Sequence, residues 1–161
     1  MNQLEITYRG TIYPWHCDHM GHMNVMWYTG KFDEASWYLL GQAGLTRRSL
    51  ETEKAALAAV QQNITYKREL RAGDIITVRS GVLEVQEKVV RLFHEMRNDE
   101  TGEVAAFTII TGVYMDAAKR KSCPIPERIR ARIEDLSLNQ NELYWEDTQT
   151  PDLQTNFVGL E

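Results

Sequence analysis

The sequence predicts an α+β protein in which one long helix is wrapped by a curved antiparallel sheet. Three observations carry this. A helical pattern runs from about Val25 to Gln42 without a proline and is apolar nearly all round, as helices buried on more than one side are. From Ala55 to Asp116 the chain reads as strands joined by tight turns, with no helix between them, so those strands pair antiparallel. A further strand precedes the helix. A sheet covers such a helix economically only by curving around it, and its other face and edge then call for a second copy.

Each element has its own signal. Leu4, Ile6, Tyr8 and Ile12 share one parity, so residues 4–13 read as a strand ended by Pro14. A polar loop containing Gly21 follows. In the helix, Val25, Tyr28, Phe32, Ala35 and Leu39 recur at spacings of three and four, while Trp27, Trp37, Tyr38 and Leu40 occupy other faces. Gly41 and Gly44 are stop signals, and Leu45–Lys54 reads as a turn or short helix. The next strand, 55–70, sets Ile64, Tyr66, Arg68 and Leu70 on one parity before the turn Ala72-Gly73-Asp74. Ile76 and Val78 then hold one parity and Leu83 and Val85 the other, which places a bulge or bend at Gly81. Val90, Leu92, His94 and Met96 form the next strand. The turn Asn98–Gly102 leads into the last, Val104–Asp116. Pro124 and Pro126 introduce a short helix with Ile129, Ile133 and Leu136 on one stripe. Residues 1–136 read as one domain, and 137–161 as a polar tail with isolated Trp145 and Phe157, extended or packed on a partner subunit.

Composition narrows the function. The 161 residues are 43% hydrophobic and 25% charged, which suits a soluble globular domain. A formal charge of −5, with no basic cluster larger than Lys119-Arg120-Lys121, argues against nucleic acid as a partner. No membrane segment is expected: the least polar stretch, Val104–Met115, is short and broken by Thr108, Thr111 and Gly112. Two cysteines, Cys17 and Cys123, and no signal-like N-terminus suit the cytoplasm.

The densest unusual segment is Trp15-His16-Cys17-Asp18-His19-Met20-Gly21-His22-Met23-Asn24, which holds three of the four histidines. Three readings stand side by side. In one, Asn24 caps the helix and the amides of Val25, Met26 and Trp27 offer free donors to a developing oxyanion, with Asp18 as general base or nucleophile. Gly21 then lets the backbone turn the carboxylate toward the helix end. In the second, His16, Cys17, Asp18, His19 and His22 hold a metal, although their spacing matches no defined ligand pattern. In the third, the loop is merely solvated and Asn24 only a cap. Elsewhere, Asp33 and Glu34 are adjacent on a helix and point about 100° apart, so they do not form an acid–base pair. His94, on the parity of Val90 and Leu92, reads as a core histidine. Cys17 lacks a base partner and reads as structural.

These residues resemble the acyl-CoA thioesterases of the hotdog fold, in their 4-hydroxybenzoyl-CoA thioesterase-like branch. The resemblance rests on Asp18-His19-Met20-Gly21-His22-Met23-Asn24, on Tyr28 and Phe32-Asp33-Glu34-Ala35, on Asn63 through Asp74, and on Pro124-Ile125-Pro126-Glu127. It implies a cofactor-free, metal-free hydrolase that splits an acyl-CoA into acid and CoA. Asp18 would be the catalytic carboxylate, as base or nucleophile, with the Val25 amide as oxyanion donor and His22 and Asn24 holding the loop or touching the thioester. Many relatives carry Asn-Asn where this chain has Asn24-Val25 and Arg where it has Ser36, so residue 25 would act through its amide. Tyr28 would shape the acyl pocket, and Lys67, Arg68 and residues 119–121 are candidates for the CoA phosphates. The resemblance also implies a homodimer or homotetramer with active sites at the protomer interface, where Asp18 of one chain meets Asn63, Thr65 and Tyr66 of another. The alternatives are a thioesterase acting on acyl-acyl carrier protein and a non-catalytic acyl-CoA-binding module of the same fold.

Overall fold

The computed structural model describes residues 3–138. Strand β1 (Glu5–Thr11) leads through a single turn, Pro14–His16, to the long helix α1 (Val25–Gln42) and the short α2 (Arg47–Glu53). Four strands follow: β2 (Ala55–Tyr66), β3 (Ile75–Val85), β4 (Val89–Asn98) and β5 (Val104–Asp116). The short β6 (Lys121–Ser122) and α3 (Glu127–Glu134) complete the order. The strands run β1-β3-β4-β5-β2, every pair antiparallel, with β6 beside β5. This is the hotdog arrangement.

The inner face of the sheet holds α1. Tyr28, Phe32 and Ala35 pack with Ile76, Val78, Met96 and Ile110, while Leu39 and Leu40 pack with Val82, Val90, Leu92 and α3's Ile129 and Ile133. Asn24 starts the helix: its Oδ1 accepts the Met26 N–H at 3.0 Å. Gly44, at φ +89°, ends it by taking the left-handed turn. The helix buries one flank only. Val25, Met26, Trp37 and Tyr38 are 42–64% exposed, because the sheet of a single chain reaches round one side. Of the two edge strands, β2 is long and poorly covered: none of its 12 residues is fully buried, against nine of 13 in β5.

Strand parity is where the structure departs from the sequence pattern. Ile6 pairs with Arg79 and Tyr8 with Val78, so Thr7 is bulged and Ile6 and Tyr8 take opposite faces. The β3 bulge falls at Leu83 rather than Gly81, since Val82 pairs with Leu92 and Glu84 with Arg91. Gly81 instead makes room for packing, since a Cβ there would sit 2.4 Å from the Leu138 side chain. Strand β2 ends at Tyr66 rather than at Leu70. The Lys67 and Arg68 amides both donate to the Ala105 carbonyl, at 2.8 and 3.0 Å, and this turns the chain out of the ladder. Beyond residue 136, Ser137 bridges Val82 and Leu138 packs on Phe93, Phe107 and Ile109 of the outer face. Trp145 and Phe157 lie outside the described residues.

Candidate active site

The loop before α1 is a miniature hairpin. The Asp18 N–H donates to the His22 carbonyl at 3.2 Å, the Gly21 N–H to the Asp18 carbonyl at 3.0 Å, and Cys17 bridges Met23. Gly21 sits at φ +84°, a conformation glycine adopts without strain. The Met23 N–H donates to the Leu70 carbonyl at 2.7 Å, which pins the hairpin to the segment that joins β2 to β3.

The hairpin sets Asp18 against the start of α1. Asp18 Oδ1 accepts the Met20 N–H at 2.9 Å, and Oδ2 accepts Asn24 Nδ2 at 2.9 Å. Asn24 therefore caps the helix with its oxygen and holds Asp18 with its nitrogen. These two hydrogen bonds, the Met20 amide first, keep the Asp18 carboxyl below the usual range, so it is ionised at neutral pH. The Met26 N–H is taken by Asn24, and the Trp27 N–H donates to the Asn24 carbonyl at 3.0 Å. The Val25 N–H has no acceptor among the described residues. It stands at the positive end of an 18-residue helix.

Asp18, His22 and Val25 line one cavity of about 270 Å³, together with Tyr28 and Tyr66. Lys67, Arg68 and Glu69 complete its rim. The Tyr28 and Tyr66 rings meet edge to face at 5.1 Å, and burial pushes the Tyr28 hydroxyl up to about 12. Tyr28 is thus a wall, with its hydroxyl 3.4 Å from the Arg68 carbonyl. His22 Nε2 lies 3.4 Å from the Glu69 carboxylate. The structure brings Asp18, His22, Val25, Tyr28, Tyr66, Lys67 and Arg68 together, with Asn24 and Gly21 shaping the loop. Asn63 and Thr65 pair with Ile109 and Phe107 on the outer face of the sheet. Neither lines this cavity.

Of the remaining histidines, His16 is buried against Trp27, with ring centres 4.6 Å apart, and its Nδ1 accepts the Tyr13 N–H at 3.0 Å. Among the described residues no three His, Cys, Asp or Glu side chains converge as metal ligands. His94 is fully buried in a polar chain. Its Nε2 meets Ser36 Oγ at 2.9 Å, its Nδ1 meets Ser80 Oγ at 2.5 Å, and Ser80 Oγ meets Thr7 Oγ1 at 2.6 Å. Ser36 Oγ donates to the Phe32 carbonyl at 2.8 Å, so His94 carries its proton on Nε2 and accepts at Nδ1. Burial pushes it down to about 3. The chain also explains the β1 bulge, which leaves Thr7 buried beside Ser80.

Sequence reasoning passed over Glu69. Its place at the rim follows from the turn after Tyr66, and the acid among Lys67, Arg68 and Arg71 was the only local sign of it.

The fold is that of the hotdog proteins, with a carboxylate and a free helix amide lining one cavity at the start of α1. Comparison with known proteins makes the assignment. The model of the thioesterase-like superfamily matches residues 12–133. The chain is 25% identical over 134 residues to the long-chain acyl-CoA thioesterase FadM of Escherichia coli, covering 83% of this chain and 98% of that one. It is 22% identical over 137 residues to a betainyl-CoA thioesterase of Pseudomonas aeruginosa, covering 85% and 86%. A Staphylococcus aureus protein solved in complex with CoA superposes with a TM-score of 0.76 at 20% identity, over 86% of this chain and 91% of that one. The chain belongs to the thioesterase-like superfamily and is a thioester hydrolase. No helix among the described residues is long and apolar enough to cross a membrane.

Proposed function

We propose that the protein hydrolyses acyl-CoA thioesters at the Asp18 cavity. One observation carries the reading: Asp18, held ionised by the Met20 amide and by Asn24, lines the same hollow at the start of α1 as the Val25 N–H, which has no acceptor among the described residues. The thioester carbonyl oxygen points at the Val25 amide, which stabilises the tetrahedral oxyanion. Asp18 either takes a proton from the attacking water or attacks the carbonyl carbon itself to give a mixed anhydride that water then cleaves. In both routes the C–S bond breaks and CoA leaves as a thiolate. Thiolates leave without acid assistance, so a carboxylate and an oxyanion donor suffice.

Lys67 and Arg68 at the rim provide positive charge for the CoA phosphates. The CoA-bound relative and the two curated relatives, all named or solved with CoA, support CoA as the carrier. The working form is a dimer or dimer of dimers, formed at the long outer edge of β2, which has no strand partner among the described residues. Both cysteines are free, in keeping with the cytoplasm.

The test is Asp18→Asn assayed by thiol release from a panel of short, long and aromatic acyl-CoAs. The expected loss in kcat is about 10²-fold or more with folding intact. Turnover at the wild-type rate overturns the assignment of Asp18. Incorporation of one labelled oxygen into Asp18 during a single turnover in labelled water selects the nucleophilic route, with water attacking the Asp18 carbon of the anhydride.

A further inference from the structure

Around α1 from the Asp18 cavity lies a second, larger hollow of about 510 Å³. Val25 and Tyr28 line the first and their neighbours Met26 and Thr29 the second, so the two adjoin along the helix. The floor is the inner face of the sheet, with Leu57, Leu92 and Ile110, and the wall is α1. Missing side chains keep it open. A Cβ on Gly30 would meet nothing within 4 Å, and one on Gly112 would reach van der Waals contact with Val90 at 3.4 Å.

The lining is mostly apolar, with Thr29, Asp33, Ser36 and Gln62 as its polar members, and one atom among them stands out. Gln62 Nε2 is buried and has no hydrogen-bond partner among the described residues. An unpaired buried amide of this kind is costly, and an acceptor supplied by a ligand would recover that cost. The nearby Ser36 hydroxyl is already engaged by Phe32 and His94. Gln62 and Tyr66 stand on the same inner face of β2. Four strand residues apart, they are separated by about 13 Å.

We infer that Gln62 is a specificity residue: the groove takes the acyl group of the thioester, and Gln62 selects acyl groups that carry an oxo or hydroxyl oxygen within an otherwise apolar chain or ring. The inference rests on the thioesterase reading above. Gln62 Nε2 donates to that oxygen, while the walls bury the remaining carbons. An unsubstituted chain fills the same space and leaves the amide unpaired.

The experiment titrates the full-length protein with matched free acids, a saturated straight-chain acid and the same chain with one oxo group moved stepwise along it, followed by tryptophan fluorescence. The wild type should bind the oxo acid about tenfold more tightly at one position of the oxo group. Gln62→Leu should lose that preference while keeping the saturated acid. Gly30→Leu, which fills open space on a helix, should weaken both acids. Equal affinity within every pair, no binding of either acid, or an unchanged preference in Gln62→Leu overturns the assignment. The CoA esters of the same acids are assayed for thiol release. Hydrolysis without discrimination sinks the Gln62 inference alone. Discrimination among free acids with no thioester cleaved sinks the thioesterase reading and leaves the ligand class of the groove standing.

Discussion

Asn24 joins two roles in one side chain, and its removal separates them. Asn24→Ala loses the helix cap, at a cost of about 1 kcal/mol, and the Nδ2 donor that lowers the Asp18 pKa. In the wild type, kcat/KM for a short acyl-CoA should stay level through mild acid and fall only below the ordinary aspartate pKa of about 3.9. In Asn24→Ala that acid limb should move upward. A pH–rate profile measured on both proteins checks the shift; coincident limbs reject the role given to Asn24. His94 titrates in the same sense as a carboxylate whose pKa the fold lowers. It is neutral in the fold, with its pKa down at about 3, against about 6.5 in the unfolded chain. Its contribution is therefore complete above about pH 6.5 and lost as pH falls toward 3. Urea unfolding at pH 7 and pH 4.5 should show a marked loss for the wild type and a smaller one for His94→Gln.

At the level of elements, two glycines make opposite predictions. Gly30 lies mid-helix with open space at its Cβ position, so Gly30→Ala should raise stability by about 0.5–1 kcal/mol, read as a higher Tm. Gly81 lies under Leu138. Gly81→Ala should cost about 1–3 kcal/mol and loosen Ser137 and Leu138 from β3, measured by thermal melting and by hydrogen exchange at the Leu138 amide, which donates to the Val82 carbonyl at 2.8 Å. The elements themselves were legible because their signals are local. Pro14, Gly44 and the proline-free run between Val25 and Gln42 mark helix and strand ends by backbone chemistry alone. The bulges at Thr7 and Leu83 were not, since each depends on what faces the strand across the sheet: Ser80 for Thr7, the Leu138 cluster for Leu83.

For the whole molecule, two open features lie together among the described residues: the outer edge of β2, which no strand pairs, and the mostly apolar groove beside α1. Val60, bulged on β2 and 45% exposed, is a point at which a charge would oppose strand addition. Light scattering should give the wild type a mass two or four times that of the chain. Val60→Lys should shift it toward the monomer with its circular dichroism unchanged. A wild-type monomer would remove the interface from the proposal.

By itself the sequence determined the order of elements, the helix start at Asn24 and the candidacy of Asp18, because capping, turn chemistry and apolar spacing act over a few residues. Only the tertiary structure decided which candidates share a cavity. The turn after Tyr66 swings Glu69 to the rim beside His22, and strand register sends Asn63 and Thr65 to the outer face while Gln62 and Tyr66 point inward. Such placements depend on pairings between residues far apart in the chain, such as Gln62 with Ile110, and no local pattern encodes which side of a bulge a residue falls on.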